Sequence, residues 1–353
     1  MRVEVQALRP GALASLAGEW SALEARTGAP SPYLTYEWLS RWAEVYRPRV
    51  LLLVSGREDG VLVALGLIEV PRRGVWHFAG RPVTPERGLL CLPGREAEVW
   101  SAFGSWLEEH SGRWALLTGE GLDESVATLP GTKHEPVTVT RLDLPETFDE
   151  YLAGRSSMTR RTLRKKIRRV ERAGGAVLEV GEEERREAIE TCVRLHTART
   201  LAQGERHPAV DHRLAQMLEA VGRSLSFELR VFTLSFSERP VAVFVRLDHG
   251  LTAYGYQIGV DPEADALSPG IVIQLRALEN AIEQGMRWLD MGPGAYRYKT
   301  DLGGVPFTRY RLTATCGSVR GQALALGMRA RSRAREHEGL AAVIRKARRR
   351  LPR

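Results

Sequence analysis

Between Ser226 and Asp290 the chain runs three long strand patterns, a loop, an amphipathic helix and one short apolar strand, in that order. Few folds accommodate such a series. The strands Ser226–Ser235, Val241–Leu247 and Leu251–Val260 are separated by Glu238-Arg239-Pro240 and Asp248-His249-Gly250, turn sequences that join antiparallel neighbours. They predict a meander. After the loop Asp261–Pro269, the residues Ile271, Leu275, Leu278 and Ile282 fall on one helix face, and Gly285 ends that helix. The strand Arg287–Asp290 then returns parallel to the last meander strand, as a right-handed crossover requires. Where a meander meets a crossover the sheet can splay, and ligands favour such strand ends.

The rest of the chain extends this pattern. Upstream of the meander, a helix over Met158–Ala173 carries an apolar stripe of Leu163, Ile167 and Val170, and Gly174-Gly175 closes it. Two more helices follow, Glu183–Leu201 and Asp211–Val221. The first half has the same ingredients: helices near Trp20–Leu23 and over Tyr36–Tyr46, and strands at Val50–Val54, Val61–Glu69 and Val75–Ala79. A helix at Ala97–Glu109 and strands at Trp114–Leu117 and Pro136–Leu144 complete it. A last strand, Thr308–Thr315, precedes a basic tail. At about 150 residues per domain, 353 residues imply two domains. The expected fold is therefore α/β (α+β): a domain at 1–144, a second at 145–317, and a basic C-terminal helix at 318–353. Each domain is expected to be a mixed, mostly antiparallel sheet flanked by helices.

Composition narrows the class. With 43% hydrophobic and 27% charged residues the chain is neither disordered nor fibrous. No apolar run approaches the roughly 18–20 residues of a membrane span, and Met1-Arg2-Val3-Glu4 opens no apolar leader. The expectation is a cytoplasmic protein with no integral membrane segment. Cys91, Cys192 and Cys316 lack metal or disulfide spacing, and His207 and His212 flank a proline without forming a ligand pair, so no metal is expected.

The net charge of +8 is concentrated. Arg155–Arg172 holds nine basic residues against Glu171 alone, and Ser318–Arg353 holds eleven against Glu336 and Glu338, so the remainder is acidic. Two cationic segments on an otherwise acidic chain point to contact with an anionic partner. Candidates are a phosphorylated donor, tRNA, an anionic polymer or an anionic membrane surface.

Several segments together resemble a known family. They are Ala253-Tyr254-Gly255-Tyr256-Gln257-Ile258-Gly259-Val260-Asp261-Pro262, then Ser268-Pro269-Gly270, Trp288-Leu289-Asp290-Met291-Gly292 and Tyr296-Arg297-Tyr298-Lys299. Arg160–Lys166, Leu195-His196-Thr197-Ala198-Arg199 and Tyr36-Glu37-Trp38-Leu39 precede them in the family's order. This set resembles GNAT acetyltransferases of the CelD-like type and is similar to the FemABX aminoacyltransferases. The resemblance spans about residues 30–315 and implies two tandem GNAT-like domains, with the signature residues in the second. It also implies acetyl-CoA or another acyl-CoA as co-substrate. One departure stands out. The usual Arg/Gln-x-x-Gly-x-Gly/Ala loop, whose amides meet the pyrophosphate at a helix N-terminus, is here Leu267-Ser268-Pro269-Gly270-Ile271-Val272. It has one glycine, no arginine and a proline without an N–H; Ser268 is expected to cap the helix, with Gly270 and Ile271 beside the cofactor.

Acyl transfer to an amine needs aligned reactants, a proton acceptor and stabilisation of the oxyanion. Lys299, in a loop between glycines and after Tyr296 and Tyr298, is the expected charge stabiliser. Asp290 at a strand end is either a base, an ion-pair partner of Lys299 or a cap on loop amides. The hydroxyl of either Tyr254 or Tyr256 is the expected proton donor to the leaving group, and Tyr298 is expected among the catalytic residues. Tyr254, which period-two alternation puts on one face with Tyr256, Ile258 and Val260, and Tyr296 are expected to contact substrate. So are His196 and Arg199, three apart on one helix, and the cations Arg164 and Lys165. The expected function is N-acyl transfer from acyl-CoA to a small-molecule, glycan or peptide amine. The alternatives are aminoacyl transfer from tRNA and a non-catalytic module that binds RNA or an anionic polymer.

Overall fold

The computed structural model describes residues 1–328 and 330, apart from 10, 29–30, 130–131 and 204–209. They form two compact units: residues 1–138 with 308–330, and residues 139–307.

In the first unit the chain runs through β1 (Arg2–Ala7), α1 (Ala17–Thr27), α2 (Tyr36–Tyr46), β2 (Leu51–Glu58) and β3 (Val61–Arg72). It continues through β4 (Val75–Phe78), β5 (Leu90–Cys91), α3 (Glu96–Glu109) and β6 (Leu116–Leu122). Within β7 (Thr132–Asp143) it passes into the second unit. There it builds α4 (Phe148–Ala153), α5 (Ser157–Arg172), β8 (Gly175–Glu179), α6 (Arg185–Ala202) and α7 (His212–Val221). The strands β9 (Glu228–Phe236), β10 (Arg239–His249) and β11 (Thr252–Val260) form the meander. They are followed by α8 (Pro269–Glu283), β12 (Trp288–Pro293) and the short α9 (Arg297–Asp301). The chain returns to the first unit within β13 (Val305–Thr315).

The strand order is β1-β2-β3-β4-β6-β13 in the first unit and β7-β12-β11-β10-β9-β8 in the second. All thirteen strands belong to one sheet, and within each unit the strands are antiparallel but for one parallel pair, β4–β6 and β11–β12, whose strands α3 or α8 connects. The mixed, mostly antiparallel pairing flanked by helices in each unit is that expected from the sequence. In the first unit Trp20, Trp38 and Trp42 are fully buried. In the second, Leu163, Ile167 and Val170 of α5 are buried with Val272, Leu275 and Leu278 of α8. Each such side chain removed from water contributes about 1.5–3 kcal/mol.

Four details depart from the periodicity. β1 is a strand because Val3 and Val5 alternate inward, a signal only six residues long. β8 follows the glycine pair directly as the outermost strand beside β9. α4 begins where the Thr147 hydroxyl accepts from the Glu150 amide, two residues past the Leu144-Pro145 break. The tight turn between β9 and β10 is Ser237-Glu238, both with positive φ, so Arg239 and Pro240 already belong to the strand. Residues 319–328 are helical, with Ala325 against Val75 and Leu116. Residues 331–353, most of the expected basic tail helix, lie outside the described residues, as does His207.

One core feature was not legible. Arg246, fully buried, donates from Nε and Nη2 to both carboxylate oxygens of Asp248 at 2.7 Å and from Nη2 to Asn280 at 2.8 Å. Its Nη1 meets the Ala277 carbonyl. This pair ties the meander to α8, the helix that carries one wall of the cleft described next.

Candidate active site

β11 and β12 pair in parallel only over Thr252↔Trp288, Ala253↔Leu289 and Tyr254↔Asp290. Beyond that level both strands leave the ladder. On β11, Val245 pairs with Gln257 and Arg246 with Gly255, which makes Tyr256 the extra residue of a bulge. A bulge bends its strand and re-aims side chains. On β12, the register to β7 shifts between Asp290 and Pro293. A cavity of about 90 Å³ opens between the diverging strands. Tyr256, Gln257 and Ile258 line it from β11, Met291 from β12, Gln274 and Leu278 from α8, and Tyr298 from α9. The bulge also corrects the expected face. Tyr254 lies opposite Leu247 and Gln257 opposite Val245, two positions apart on β10, so Tyr254 shares its face with Gln257 and not with Ile258.

Of the four expected catalytic residues, Tyr256 and Tyr298 line this cavity; Lys299 and Asp290 sit behind it. Lys299 is in α9 and not in a loop, and it is only 2% exposed. Its Nζ donates to the carbonyls of Gly292 and Pro293, both at 2.8 Å, and lies 5.5 Å from the centre of the Tyr296 ring. Burial lowers its pKa to about 8, with Asp290 acting in the opposite sense. Asp290 Oδ1 accepts the Gly292 amide at 2.6 Å, so it caps a loop amide. Asp290 and Lys299 thus hold opposite ends of one peptide residue, Gly292, which adopts positive φ. Tyr298 stays protonated to a higher pH than an ordinary phenol, first through burial and second through Tyr296. α9 itself is anchored from α4: Tyr151 donates to the Leu302 carbonyl at 2.8 Å.

The other expected residues surround the cleft at greater remove. His196 Nδ1 lies 3.1 Å from the Ile258 carbonyl oxygen and 2.7 Å from the Gln257 amide nitrogen, so α6 braces β11 next to the bulge. Arg199 is committed to Asp265 at 2.7 Å. Arg164 and Lys165 are exposed on α5, and Tyr296 is exposed beside α9.

Ser268 does not cap α8. It has positive φ and makes no side-chain capping bond; its hydroxyl instead accepts from Lys166 Nζ at 2.7 Å. A cation of the neighbouring helix thus stands at the Leu267–Val272 loop, which carries none of its own. Gly270 packs so close to β11 that an added Cβ would stand 3.1 Å from Val260 Cγ2. Lys166 escaped the sequence reading because its neighbours Arg164 and Lys165 are equally basic. Its spacing does give a signal: three residues after Leu163 and four before Val170, it borders the apolar stripe, whereas Lys165 does not.

The first unit has a crossover of the same order, with a different outcome. β4 and β6 pair in parallel from Val75↔Leu116 to His77↔Thr118. Past that level the segment before β5 occupies the gap. Arg87 and Glu120 exchange backbone hydrogen bonds at 2.7 and 3.2 Å, and their side chains form a partly buried ion pair. Gly119 and Gly121 allow the approach, since an added Cβ would lie 3.0 Å from the Arg87 carbonyl oxygen or 2.7 Å from that of Pro85.

Residues 157–300, from α5 to α9, match the family model described as an acetyltransferase (GNAT) domain. The chain carries a GNAT domain. No curated protein matches the sequence. Among solved structures the chain is similar to FemX, with TM-score 0.61 and 10% identity over 88% of this chain and 97% of that one. It is similar to the C-terminal domain of a protein assigned as a lysylphosphatidylglycerol synthetase from Agrobacterium fabrum, with TM-score 0.58 and 11% identity over 89% and 95% of the two chains. A tandem GNAT protein from the clavulanic acid biosynthesis pathway gives TM-score 0.50 and 15% identity over 90% and 99%. These likenesses extend the GNAT fold over both units. Among the described residues no helix is long and apolar enough to cross a membrane.

Proposed function

We propose that the protein is an N-acyltransferase whose donor, an acyl-CoA, enters the cleft between β11 and β12 and whose acceptor is a primary amine. The observation that carries this reading is the pairing of two phenols, Tyr256 and Tyr298, in a cavity at the point where the parallel strands diverge. The thioester arm lies along the diverging strands. Its diphosphate meets the N-terminus of α8, where the Gly270 amide, the Ser268 hydroxyl and the Lys166 ammonium converge. This supports a CoA site despite the short loop, because Lys166 replaces the missing cation. CoA supplies the activated thioester carbonyl; the protein supplies alignment and protons. Tyr298, kept neutral by burial, donates its proton to the departing thiolate, and the proton that the amine sheds on forming the amide returns to the phenolate. Lys299 and Asp290 fix Gly292 and so hold the wall of the cleft in register with Tyr256. His196 and Gln257 hold the opposite wall.

One observation favours a second donor class. Arg161, Arg164, Lys165, Arg168, Arg169 and Arg172 are exposed on α5, the helix that also supplies Lys166, and none forms an ion pair among the described residues. A longer phosphorylated donor such as tRNA would engage them. The deciding assay offers radiolabelled acetyl-CoA and aminoacyl-tRNA to the full chain with a panel of amines. Transfer from acetyl-CoA, reduced about a hundredfold in kcat by Tyr298→Phe with little change in KM, supports the first reading. RNase-sensitive transfer alone overturns it in favour of the second.

A further inference from the structure

A second recess opens at the sheet of the second unit, away from the cleft. On the α6 side, at the β8 edge, lies a cavity of about 450 Å³, within the range of small-molecule sites. Its apolar lining comprises buried Val243 of β10, half-buried Ala188 of α6, and Ala176 and Leu178 exposed on the β8 edge. Thr233 of β9 also lines it, and its hydroxyl oxygen is buried without a hydrogen-bond partner in the protein. Glu184, Glu187 and Glu238 complete the wall, and none of these carboxylates meets a cation among the described residues.

The sequence supplies cations beside each of the three, and the fold turns every one away. Arg185 donates to the Gly222 carbonyl at 2.9 Å, Arg186 pairs with Glu190 at 3.2 Å, and Arg239 pairs with Asp261 at 2.7 Å. On a chain of net charge +8, the result is an apolar recess with an uncompensated acidic wall and one buried hydroxyl in need of a partner. A buried hydroxyl without a partner is costly, and a ligand that supplies one removes the cost.

We propose that this cavity binds an aliphatic diamine or polyamine, with the alkyl chain along Leu178 and Val243 and the ammonium groups toward Glu184, Glu187 and Glu238. Anions are repelled by the same wall, and a neutral alcohol of equal length leaves it uncompensated. The site lies apart from the cleft. None of the cavity residues at the phenols lines it, so it stands independently of the acyl-transfer reading.

The test is titration of the full chain with 1,6-diaminohexane, with 1-hexanol and hexanoate as neutral and anionic probes, followed by methyl NMR and calorimetry. The expected result is saturable binding of the diamine only, with shifts at the methyls of Leu178, Val243 and Ala188. Combined substitution E184Q, E187Q and E238Q weakens binding about tenfold or more, and T233V weakens it further. All three glutamates are exposed, so the triple variant keeps its fold, which its melting curve checks. Absence of binding, equal binding of hexanol, an unaffected triple variant, or shifts confined to Ile258 and Met291 in the cleft would each overturn the proposal.

Discussion

At the residue scale, Lys299 shows how burial changes a role. The Lys299 amine donates to two carbonyls more strongly as an ammonium than as a neutral amine, and burial lowers its pKa to about 8, which puts the proton's loss within a working range. If Lys299 acts as a cation that holds Gly292 and Pro293, turnover falls as pH rises through about 8, and Lys299→Met lowers kcat and removes that limb of the profile. A rise in turnover through the same pH would make Lys299 a base. Glu69 offers a test of sign in the first unit. It lies opposite His77 across β3 and β4, and burial pushes its carboxyl up to about 7 against the pull of Arg81 and Arg87. The unfolded carboxyl titrates near 4.5, so the folded state holds the proton more tightly. The stability contributed by this group is complete below about 4.5 and is lost as pH rises through about 7. Glu69→Gln should therefore melt close to the parent at pH 5 and a few degrees above it at pH 8.5 by calorimetry.

At the scale of elements, what the sequence disclosed depended on period and length. The meander, α8 and α5 were legible because their apolar positions repeat over nine or more residues. The bulge at Tyr256 was not, since alternation assumes an unbroken ladder and one extra residue reverses every later side chain. The expectation that Lys299, Asp290 and Tyr256 face one cleft rested on strand ends and glycine-flanked loops; Tyr256 lines the cavity with Tyr298, and the other two do not. Lys299 and Asp290 instead grip Gly292 behind it, a residue that tertiary geometry alone brings between them. The Arg246–Asp248 pair is of the same kind: alternate strand positions predict a shared face, not full burial. Asp248→Ala would strand the guanidinium in the core and should destabilise the second unit by about 3–5 kcal/mol in denaturant unfolding. Replacing Arg246 and Asp248 together by apolar residues should cost much less.

At the scale of the whole molecule, two units built on the same crossover differ in what fills it. In the second, the level past Tyr254↔Asp290 is a cavity between two phenols; in the first, the level past His77↔Thr118 is occupied by the chain at Arg87. On the proposed function, each chain has one donor site, with Lys166 as its phosphate-facing cation. Equilibrium binding of acetyl-CoA to the full chain tests this most directly. The predicted result is one acetyl-CoA per chain, with affinity reduced about tenfold or more by Lys166→Ala through loss of one charge-assisted contact. Two sites per chain, no binding, or an affinity that Lys166→Ala leaves unchanged would contradict it.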